Sequence, residues 1–467
     1  MQSSLIIFTR YPEPGKVKTR LVPALGEEGA SDLHRRMAEL TINTAGQVDL
    51  PGLSLQIHYD GGDSELMKGW LGAGIDLFPQ GDGDLGDRMG RAFENAFSGG
   101  MQKTLIIGTD SPSITHQLLR LALFNLETSD MVLGPAVDGG YYLIGIRKQA
   151  AAQALPGIMS GIPWGTGEVF DRTLNKAQEL GLKVYQTELL GDVDRPEDLP
   201  LWQEASDSEN STLISVVVPT INEEDNLPAL AENLATERRL ETIVADGGSS
   251  DDTVRVARLL SSKVVNSRKG RWIQMNSGAQ AASGETLLFL HADTRLPRGF
   301  SGYIRRALAD PDTVAGAFRF ATDLDTASMK LIEWAANMRA SRLGIIYSDQ
   351  ALFIRADLFR ELGGFPDQPV MEDYELTRRI RTRGKTVLLS HKAVSSARKW
   401  KAVGIWKLTM IHYAITGAYL MGVSPERLAG WYRRLIKNSA KGVEEIIEID
   451  LTAEEKEAIG HSADAVR

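Results

Sequence analysis

The sequence predicts two tandem α/β domains, each with a mostly parallel sheet flanked by helices. In both halves, short apolar runs bounded by turn residues alternate with helical patterns, which is typical of such sheets. The chain has 467 residues, more than one hydrophobic core usually serves. Two apolar runs end in an aspartate, Asp110 in LIIGTDSP and Asp293 in LLFLHADTRLP. Because ligands of parallel sheets bind beyond the carboxyl ends of the strands, we expect two nucleotide-type sites, one in each half.

Each predicted element is an apolar run of strand length or a helical pattern between two such runs. We expect a first domain over residues 1–206, a small polar linker over 207–212, a second domain over 213–440 and a C-terminal tail over 441–467. In the first domain we predict strands Leu5–Thr9, Leu53–Tyr59, Thr104–Gly108, Met131–Pro135 and Lys183–Thr187, and helices Glu28–Val48, Gly86–Phe97 and Thr166–Gly181. In the second we predict strands Ile214–Pro219, Glu241–Ala245, Lys263–Asn266, Thr286–His291 and Lys385–Ser390, and helices Glu224–Thr236, Thr253–Leu260, Gly270–Ala282 and Tyr374–Arg383.

Composition narrows the function classes. The formal net charge of −9 argues against a dedicated nucleic-acid binder, although local basic clusters can still hold phosphates. The chain has no cysteine, which excludes disulfides, thiolate nucleophiles and cysteine-ligated metal centres. Together with the lack of a signal-peptide pattern, this favours a cytoplasmic protein.

One apolar segment, Leu408–Val423, raises the question of a membrane. It is too short, and too interrupted by polar residues and glycine, to span a bilayer comfortably. Basic and aromatic residues flank it on both sides, so the segment is either a packed helix with a solvated basic face or an interfacial surface. The second alternative would place the protein peripherally at the inner face of the membrane.

A cationic loop follows the first predicted strand, within TRYPEPGKVKTRL. Positive charge and a glycine that lets the backbone approach closely both suit a triphosphate. Later in the same half, aspartates end one strand and alternate along an extended stretch, where two of them can address one divalent cation, Mg²⁺ or Mn²⁺. Taken singly, these are features of surface loops and turns, but their combination favours a nucleotide site. The basic residues are Arg10, Lys16, Lys18 and Arg20, and the aspartates are Asp110, Asp192 and Asp194.

The first half resembles the glycosyltransferase-A-fold nucleotidyltransferases through the motifs FTRYPEPGKVKTRL, GTDSP, GPAVDGGYYLIG and DVDRPEDL. That group contains molybdenum-cofactor guanylyltransferase, phospholactate guanylyltransferase and sugar-1-phosphate nucleotidyltransferases. The resemblance implies that a nucleoside triphosphate and a sugar 1-phosphate react with loss of pyrophosphate. A Pro12-Glu13-Pro14-Gly15 turn replaces the usual leading glycines, which leaves the base open and permits a non-sugar acceptor. The implied phosphate ligands are Lys16, also placed at the catalytic centre, Lys18 and Arg20, and the implied metal ligands are Asp110 with Asp192 or Asp194.

The second half carries a similar series of strand ends. The run ISVVVPTINEEDNL ends at Pro219 and leads to Glu223. In VADGGSSDDT, Asp246 precedes two glycines and is placed to accept hydrogen bonds from a ribose or base edge. Asp293 would lie under a diphosphate with a divalent metal between them. Asp373, at the start of a helical pattern, is either a favourable charge at the helix dipole or a general base towards an acceptor hydroxyl.

These segments resemble family 2 glycosyltransferases, notably the type found in arsenosugar and selenium-related gene neighbourhoods. The motifs are PTINEEDNL, VADGGSSDDT, GRWIQMNSGAQAASGE, LLFLHADTRLP, SDQALFIR and MEDYELTRRI. The resemblance implies a Rossmann-like glycosyltransferase-A-type fold, a nucleotide-sugar donor and inversion at the anomeric carbon. It assigns Asp293 to the metal and Asp373 to the base, while His291 replaces the first aspartate of the usual DxD motif. The predicted nucleotide contacts are Pro219, Glu223, Asp246, Arg271 and a basic and aromatic clamp of Arg398 and Trp400.

The sequence therefore predicts a bifunctional enzyme. The first domain would transfer a nucleotidyl group to a sugar 1-phosphate, and the second would pass the sugar from the nucleotide-sugar to a hydroxyl of a small-molecule or lipid acceptor. In one alternative, the first domain nucleotidylates a non-sugar phosphate or only binds nucleotide. In another, the protein is a membrane-peripheral glycosyltransferase that docks through residues 400–437.

Overall fold

The computed structural model describes residues 2–437, and the chain divides into two compact units between Asn210 and Ser211. The predicted linker, residues 207–212, begins inside a helix, because the helical pattern of LPLWQEASDSE continues to Glu209. The boundary therefore lies between Asn210 and Ser211, and only the second half of the predicted linker falls outside the helix. The predicted tail, residues 441–467, lies outside the described residues.

The first unit is a seven-stranded sheet with helices packed on it. Its strand order is β3-β2-β1-β4-β6-β5-β7, and every neighbouring pair is parallel except those of β6 with β4 and β5. The strands are β1 (Ser3–Arg10), β2 (Leu53–Asp60), β3 (Asp76–Pro79), β4 (Lys103–Ile107), β5 (Met131–Pro135), β6 (Tyr141–Arg147) and β7 (Val184–Gln186). The helices are α1 (Val22–Gly46), α2 (Ser64–Leu71), α3 (Leu85–Ser98), α4 (His116–Asn125), α5 (Lys148–Ile158), α6 (Val169–Glu179) and α7 (Leu199–Glu209).

The second unit has an eight-stranded mixed sheet. Its order is β10-β9-β8-β11-β14-β13-β15-β12, in which β10, β9, β8 and β11 are mutually parallel. The strands are β8 (Ile214–Thr220), β9 (Leu240–Asp246), β10 (Lys263–Asn266), β11 (Thr286–Phe289), β12 (Thr294–Arg295), β13 (Thr313–Thr322), β14 (Phe353–Arg355) and β15 (Lys385–Ser395). The helices are α8 (Asn226–Leu234), α9 (Thr253–Leu260), α10 (Arg271–Ala281), α11 (Phe300–Leu308), α12 (Ala327–Leu343), α13 (Ala356–Glu361), α14 (Glu372–Ile380), α15 (Arg398–Val403), α16 (Ile405–Leu420) and α17 (Pro425–Lys437).

The predicted fold class is confirmed, and the central strands show why the sequence was enough to predict it. β1 and β4 are covered by helices on both sides, so their side chains are buried on both faces and read as continuous apolar runs. The ten predicted strands are all present within a few residues. The strands missed are β3, β6, β12, β13 and β14; three of these, β3, β12 and β14, are four residues or shorter.

The helices α15, α16 and α17 share one apolar cluster at the C-terminal end of the second unit. The segment Leu408–Val423 forms most of α16, and Leu408, Ile411 and Ile415 pack against Leu428 of α17. One side of this segment is therefore packed, while the interfacial alternative stays open for its exposed side. Within residues 2–437, no helix has both the length and the apolar character needed to cross a membrane.

Candidate functional sites

In the first domain, a buried lysine lies between two carboxylates beyond the carboxyl ends of β1 and β4. Lys18 Nζ is 2.6 Å from Asp110 Oδ1 and 2.7 Å from Asp194 Oδ1, and only 6% of the Lys18 side chain is exposed. Burial alone would lower the pKa of Lys18, but the two carboxylates outweigh it and the pKa is raised. Lys18 is therefore a permanent positive charge at the centre of this ion triad.

The backbone around the triad is arranged to hold it. Lys18 has a φ of 45° in the left-handed region, which is uncommon for a residue with a side chain and costs about 1 kcal/mol. The amide of Val193 donates to the carbonyl of Asp110 at 2.9 Å, which fixes the DVDRPEDL turn against the end of β4. Two segments that lie far apart in the sequence thus present their carboxylates to one lysine.

The other predicted cations of this domain are more exposed. Arg20 Nη1 lies 3.4 Å from Asp194 Oδ2 and so joins the triad. Arg10 pairs with Asp60 at 3.4 Å, and Lys16 pairs with Glu13 at 2.8 Å. The structure therefore brings Lys18 and Arg20 together with the predicted carboxylates, whereas Arg10 and Lys16 each have another partner.

The predicted metal ligands of the first domain do not form a ready metal cluster. Asp192 is half-buried, and burial, with the nearby charges of Asp138 and Asp194, raises its pKa to about 6. Over residues 2–437, no group of three or more histidine, aspartate and glutamate side chains is arranged to hold a metal ion. The ammonium of Lys18 takes the position between Asp110 and Asp194, so metal binding by Asp110, Asp192 and Asp194 stays a prediction.

The second domain has a cavity of about 540 Å³ at the carboxyl ends of β8 and β11. Its wall combines the loop after β8, the start of α10, the turn at His291 and the helices α15, α16 and α17. Because neighbouring strand ends and a helical layer enclose it, it has the form of a ligand site in an open α/β sheet. The predicted residues that line it are Pro219, Glu223, Arg271, Asp293, Arg398 and Trp400.

Arg398 joins the two acidic walls of this cavity. Its Nη2 atom is 3.5 Å from Asp293 Oδ2 and 3.7 Å from Glu223 Oε2, and half of the side chain is exposed. Burial raises the pKa of Glu223, while Arg398 and Asn226 act in the opposite direction. Trp400 packs edge-on against His412 at 5.6 Å between ring centres. Arg398 and Trp400 thus both form part of the cavity wall, and their role as a nucleotide clamp stays a prediction.

Asp246 is placed differently from our expectation that its carboxylate would be left for a ligand. It ends β9, is 4% exposed, and accepts hydrogen bonds from the amides of Gly248 at 2.9 Å and Ser249 at 3.1 Å. It does not line the cavity, whereas Ser250 and Asp251 do. In the structure Asp246 shapes the glycine turn, because its oxygens satisfy the amides that follow; nucleotide binding by Asp246 stays a prediction.

The predicted base, Asp373, is also engaged by the protein. Its Oδ2 atom accepts hydrogen bonds from the Ser348 amide at 3.1 Å and hydroxyl at 3.4 Å, and its Oδ1 atom accepts one from the Tyr374 amide at 2.7 Å. Asp373 is 7% exposed and does not line the cavity. Its neighbour Glu372 is paired with Arg271 Nε at 2.6 Å, and burial raises the pKa of Glu372 to about 7.

Sequence reasoning missed Asp349, which does line the cavity. Among residues 2–437, no donor reaches its buried Oδ1 atom. Burial raises its pKa to about 6; Arg339 opposes the rise and Asp373 adds to it. SDQALFIR was noted as a motif, but nothing local marks this aspartate, because its position depends on packing between β13, β15 and α14.

His291 has a similar unsatisfied atom. Its Nε2 is buried without a hydrogen-bond partner in the described part of the chain, and it lines the cavity two residues before Asp293. Burial lowers its pKa to about 4, so the imidazole is neutral at pH 7. A neutral imidazole beside a carboxylate is a donor set that suits a divalent transition metal.

Two family models match the chain, one in each unit. Residues 27–166 match "Uncharacterized protein conserved in bacteria (DUF2064)", and residues 215–362 match "Glycosyl transferase family 2". The first match carries no activity, so it leaves the predicted nucleotidyltransferase resemblance without support. The second agrees with the resemblance that the motifs of the second half predicted.

Individual relatives point to the same class. The chain is 25% identical over 202 residues to glycosyltransferase AglE of Haloferax volcanii, covering 39% of this chain and 65% of that protein. It is 23% identical over 251 residues to the probable glycosyltransferase YdaM of Bacillus subtilis, covering 48% of this chain and 59% of that protein. The chain thus spans less than two thirds of either relative.

One solved structure, from Desulfovibrio desulfuricans G20, is described as a candidate nucleotide-diphospho-sugar transferase. It is 33% identical to this chain, and the match covers 44% of this chain and 96% of that one, with a TM-score of 0.40. Over residues 215–362 the second domain is thus similar to glycosyl transferase family 2, in agreement with the motifs of this half.

Proposed function

We propose that the second domain transfers a sugar from a nucleotide-sugar donor to an acceptor hydroxyl, with inversion at the anomeric carbon. The observation that carries this is the cavity of about 540 Å³ in which Asp293, Asp349 and Arg398 face one space. A base removes the proton of the acceptor hydroxyl as its oxygen bonds to the anomeric carbon. The bond from that carbon to the diphosphate oxygen breaks, and the nucleoside diphosphate leaves with its electron pair.

The residues of the cavity fit a divalent cation, Mg²⁺ or Mn²⁺, beside the diphosphate. Asp293 offers a carboxylate and His291 an imidazole nitrogen with no hydrogen-bond partner among residues 2–437. These two side chains would hold the ion, with the donor's phosphates and water completing its coordination. Such an ion would neutralise charge on the departing diphosphate.

We propose Asp349 as the base, in place of the Asp373 that the motif suggested. A base must reach the acceptor hydroxyl, and Asp349 lines the cavity with an oxygen that no described donor occupies. Asp373 instead hydrogen-bonds Ser348, the residue before Asp349. In this proposal Asp373 is a positioning residue that fixes the turn carrying the base.

Arg398→Ala is expected to weaken binding of the nucleoside diphosphate by on the order of tenfold. A charge-assisted hydrogen bond to phosphate contributes roughly 1.5–3 kcal/mol, and the partial exposure of Arg398 keeps the loss near the lower limit. The measurement is isothermal titration calorimetry with UDP and with GDP in the presence of Mn²⁺.

Lys401→Ala is the matched control for this experiment. Lys401 is similarly exposed, pairs with Asp323 at 3.8 Å and does not line the cavity. We expect its affinity for both nucleotides to equal that of the parent. Equal losses in the two variants would mean that general positive charge, rather than the cavity, holds the phosphate.

For the first domain we propose nucleotidyl transfer from a nucleoside triphosphate to a sugar 1-phosphate, with loss of pyrophosphate. The supporting observation is the cationic group at the carboxyl ends of β1 and β4, where Lys18 and Arg20 lie beside Asp110 and Asp194. Positioning and charge neutralisation supply most of the catalysis of such transfers. Adenylation or guanylation of a non-sugar phosphate would use the same residues.

Asp110→Asn is expected to lower pyrophosphate release by on the order of 100-fold or more, since one carboxylate of the site loses its charge. The assay offers each of the four common nucleoside triphosphates with a panel of sugar 1-phosphates and Mg²⁺. Asp373→Asn, in the other domain, should release pyrophosphate at the parent rate. Absence of pyrophosphate from the parent with every pair would refute nucleotidylation of a sugar phosphate.

A further inference from the structure

Helices α16 and α17 expose an apolar surface that the protein itself does not cover within residues 2–437. On α16 the exposed apolar residues Trp406, Met410, Tyr413 and Leu420 are spaced by four, three and seven positions, so they lie on one side of the helix. Their exposed fractions range from 42% to 80%, which is high for such large side chains. We call this surface the outer helical face; it consists of Trp406, Met410, Tyr413, Leu420 and Met421 with Trp431 and Leu435.

This face is distinct from the side that packs the two helices together. Leu408, Ile411 and Ile415 point inwards and join Leu428 and Ile436 in a buried cluster. Packing of α16 therefore needs only its inner side, and the apolar residues of its outer side add nothing to that core. Contiguous exposed apolar surface on a folded domain marks an interaction site.

The charge around the face points to an anionic partner. Residues 398–437 contain eight lysines and arginines and one acidic residue, although the whole chain has a net charge of −9. Lys407, Arg427 and Arg434 lie exposed on the same two helices as the apolar residues. If a second copy of the chain covered this face, the lysines and arginines of the two copies would repel each other. An anionic lipid surface instead offers an apolar interior for the face and negative charge for its cations.

Aromatic side chains strengthen this assignment. Trp406, Tyr413 and Trp431 each combine an apolar ring with a polar atom, and such residues gather where a bilayer meets water. We propose that the outer helical face docks the second domain on the surface of an anionic lipid bilayer, with the helices lying in the interface.

Docking would set the cavity close to the lipid head groups. The inner sides of the same helices contribute Leu408, His412 and Tyr432 to the cavity wall. A helix with its side chains is about 10 Å across, so the cavity lies about one helix diameter from the docked face. The bilayer is a source of acceptor hydroxyls at that distance.

The test is co-sedimentation of the full chain with vesicles, in the absence of any nucleotide. We expect binding to vesicles of phosphatidylcholine and phosphatidylglycerol, much weaker binding to phosphatidylcholine alone, and release at high salt. Trp406→Ser combined with Met410→Ser should lower the partition coefficient at least about tenfold, because each side chain loses apolar area that the bilayer would bury.

Leu66→Ser is the matched control, since Leu66 is 45% exposed on α2 of the first domain. It should sediment with the vesicles as the parent does. UDP affinity, measured on all variants, shows that the folded cavity persists and is independent of docking. A parent that stays in the supernatant with anionic vesicles, or a double variant that sediments like the parent, overturns the proposal; so does self-association through this face without vesicle binding.

Discussion

Asp349→Asn is expected to lower kcat for sugar transfer by about 10²–10⁴-fold, with the KM for the nucleotide-sugar near the parent value. Asparagine keeps the size of the side chain but cannot accept the proton of the acceptor hydroxyl. Because Arg398, the proposed phosphate ligand, pairs with Asp293 and Glu223 and both pairs should stay intact in this variant, the donor should bind as before. The measurement is release of nucleoside diphosphate at saturating donor, with UDP affinity as the control for folding.

The pH dependence gives an independent check of the same assignment. Burial raises the pKa of Asp349 to about 6, so its carboxylate can accept a proton above that value; if Asp349 is the base, the parent rate should fall as pH falls through about 6. The free energy of unfolding should change in the opposite direction. Because the folded state binds this proton more tightly than the unfolded state does, the contribution of Asp349 to stability falls as pH rises from about 4 to about 6. In Asp349→Asn both dependences on this group should disappear.

Asp373→Asn separates the two candidate bases. The asparagine would keep one accepting oxygen but turn an amide group towards a backbone donor, at a cost of about 1–3 kcal/mol in the free energy of unfolding. We expect a lower melting temperature with a moderate loss of kcat that retains the acid limb near pH 6. A complete loss of kcat at an unchanged melting temperature, with Asp349→Asn fully active, would make Asp373 the base.

The comparison of these two aspartates shows what the sequence could and could not reveal. Asp373 lies in the motif MEDYELTRRI at the start of a helix, and the family resemblance of that motif assigned it as the base. Asp349 lies in a single 3₁₀ turn, Ser348–Gln350, and its packing against β13 and β15 brings it to the cavity. Side-chain position at a loop depends on such long-range packing, which periodicity does not encode.

The buried strands show which features of the fold the hydrophobic pattern of the sequence encodes. Buried parallel strands read as apolar runs, so β1, β4, β8 and β11 were found from sequence, as were Asp110 after β4 and Asp293 after β11. The bonding partners of a carboxylate at a strand end could not be predicted from the sequence. Asp246 turned out to satisfy the amides of its own turn, and Asp110 and Asp194 turned out to enclose a lysine.

Lys18→Met is expected to lower the free energy of unfolding of the first domain by about 3 kcal/mol. Breaking a buried ion pair costs roughly 3–5 kcal/mol, and the lower limit applies because 52% of Asp110 and 32% of Asp194 remain open to water. The loss should be read from hydrogen exchange of peptides in β1 and β4 during urea titration, since each domain can open separately. Lys68→Met removes an exposed pair with Glu65 at 3.0 Å and should cost less than about 0.5 kcal/mol.

The same variant decides between an ion triad and a metal site. With Lys18 replaced by methionine, Asp110 and Asp194 face each other without the ammonium between them, so Mn²⁺ should stabilise the first domain of the variant, seen as slower hydrogen exchange in β1 and β4, and leave the first domain of the parent unaffected. The gain should vanish as pH falls and the carboxylates bind protons, because a protonated carboxyl no longer attracts the ion. Slower hydrogen exchange in β1 and β4 of the parent with Mn²⁺ would show instead that metal and lysine share these carboxylates, as the predicted set of Asp110, Asp192 and Asp194 requires.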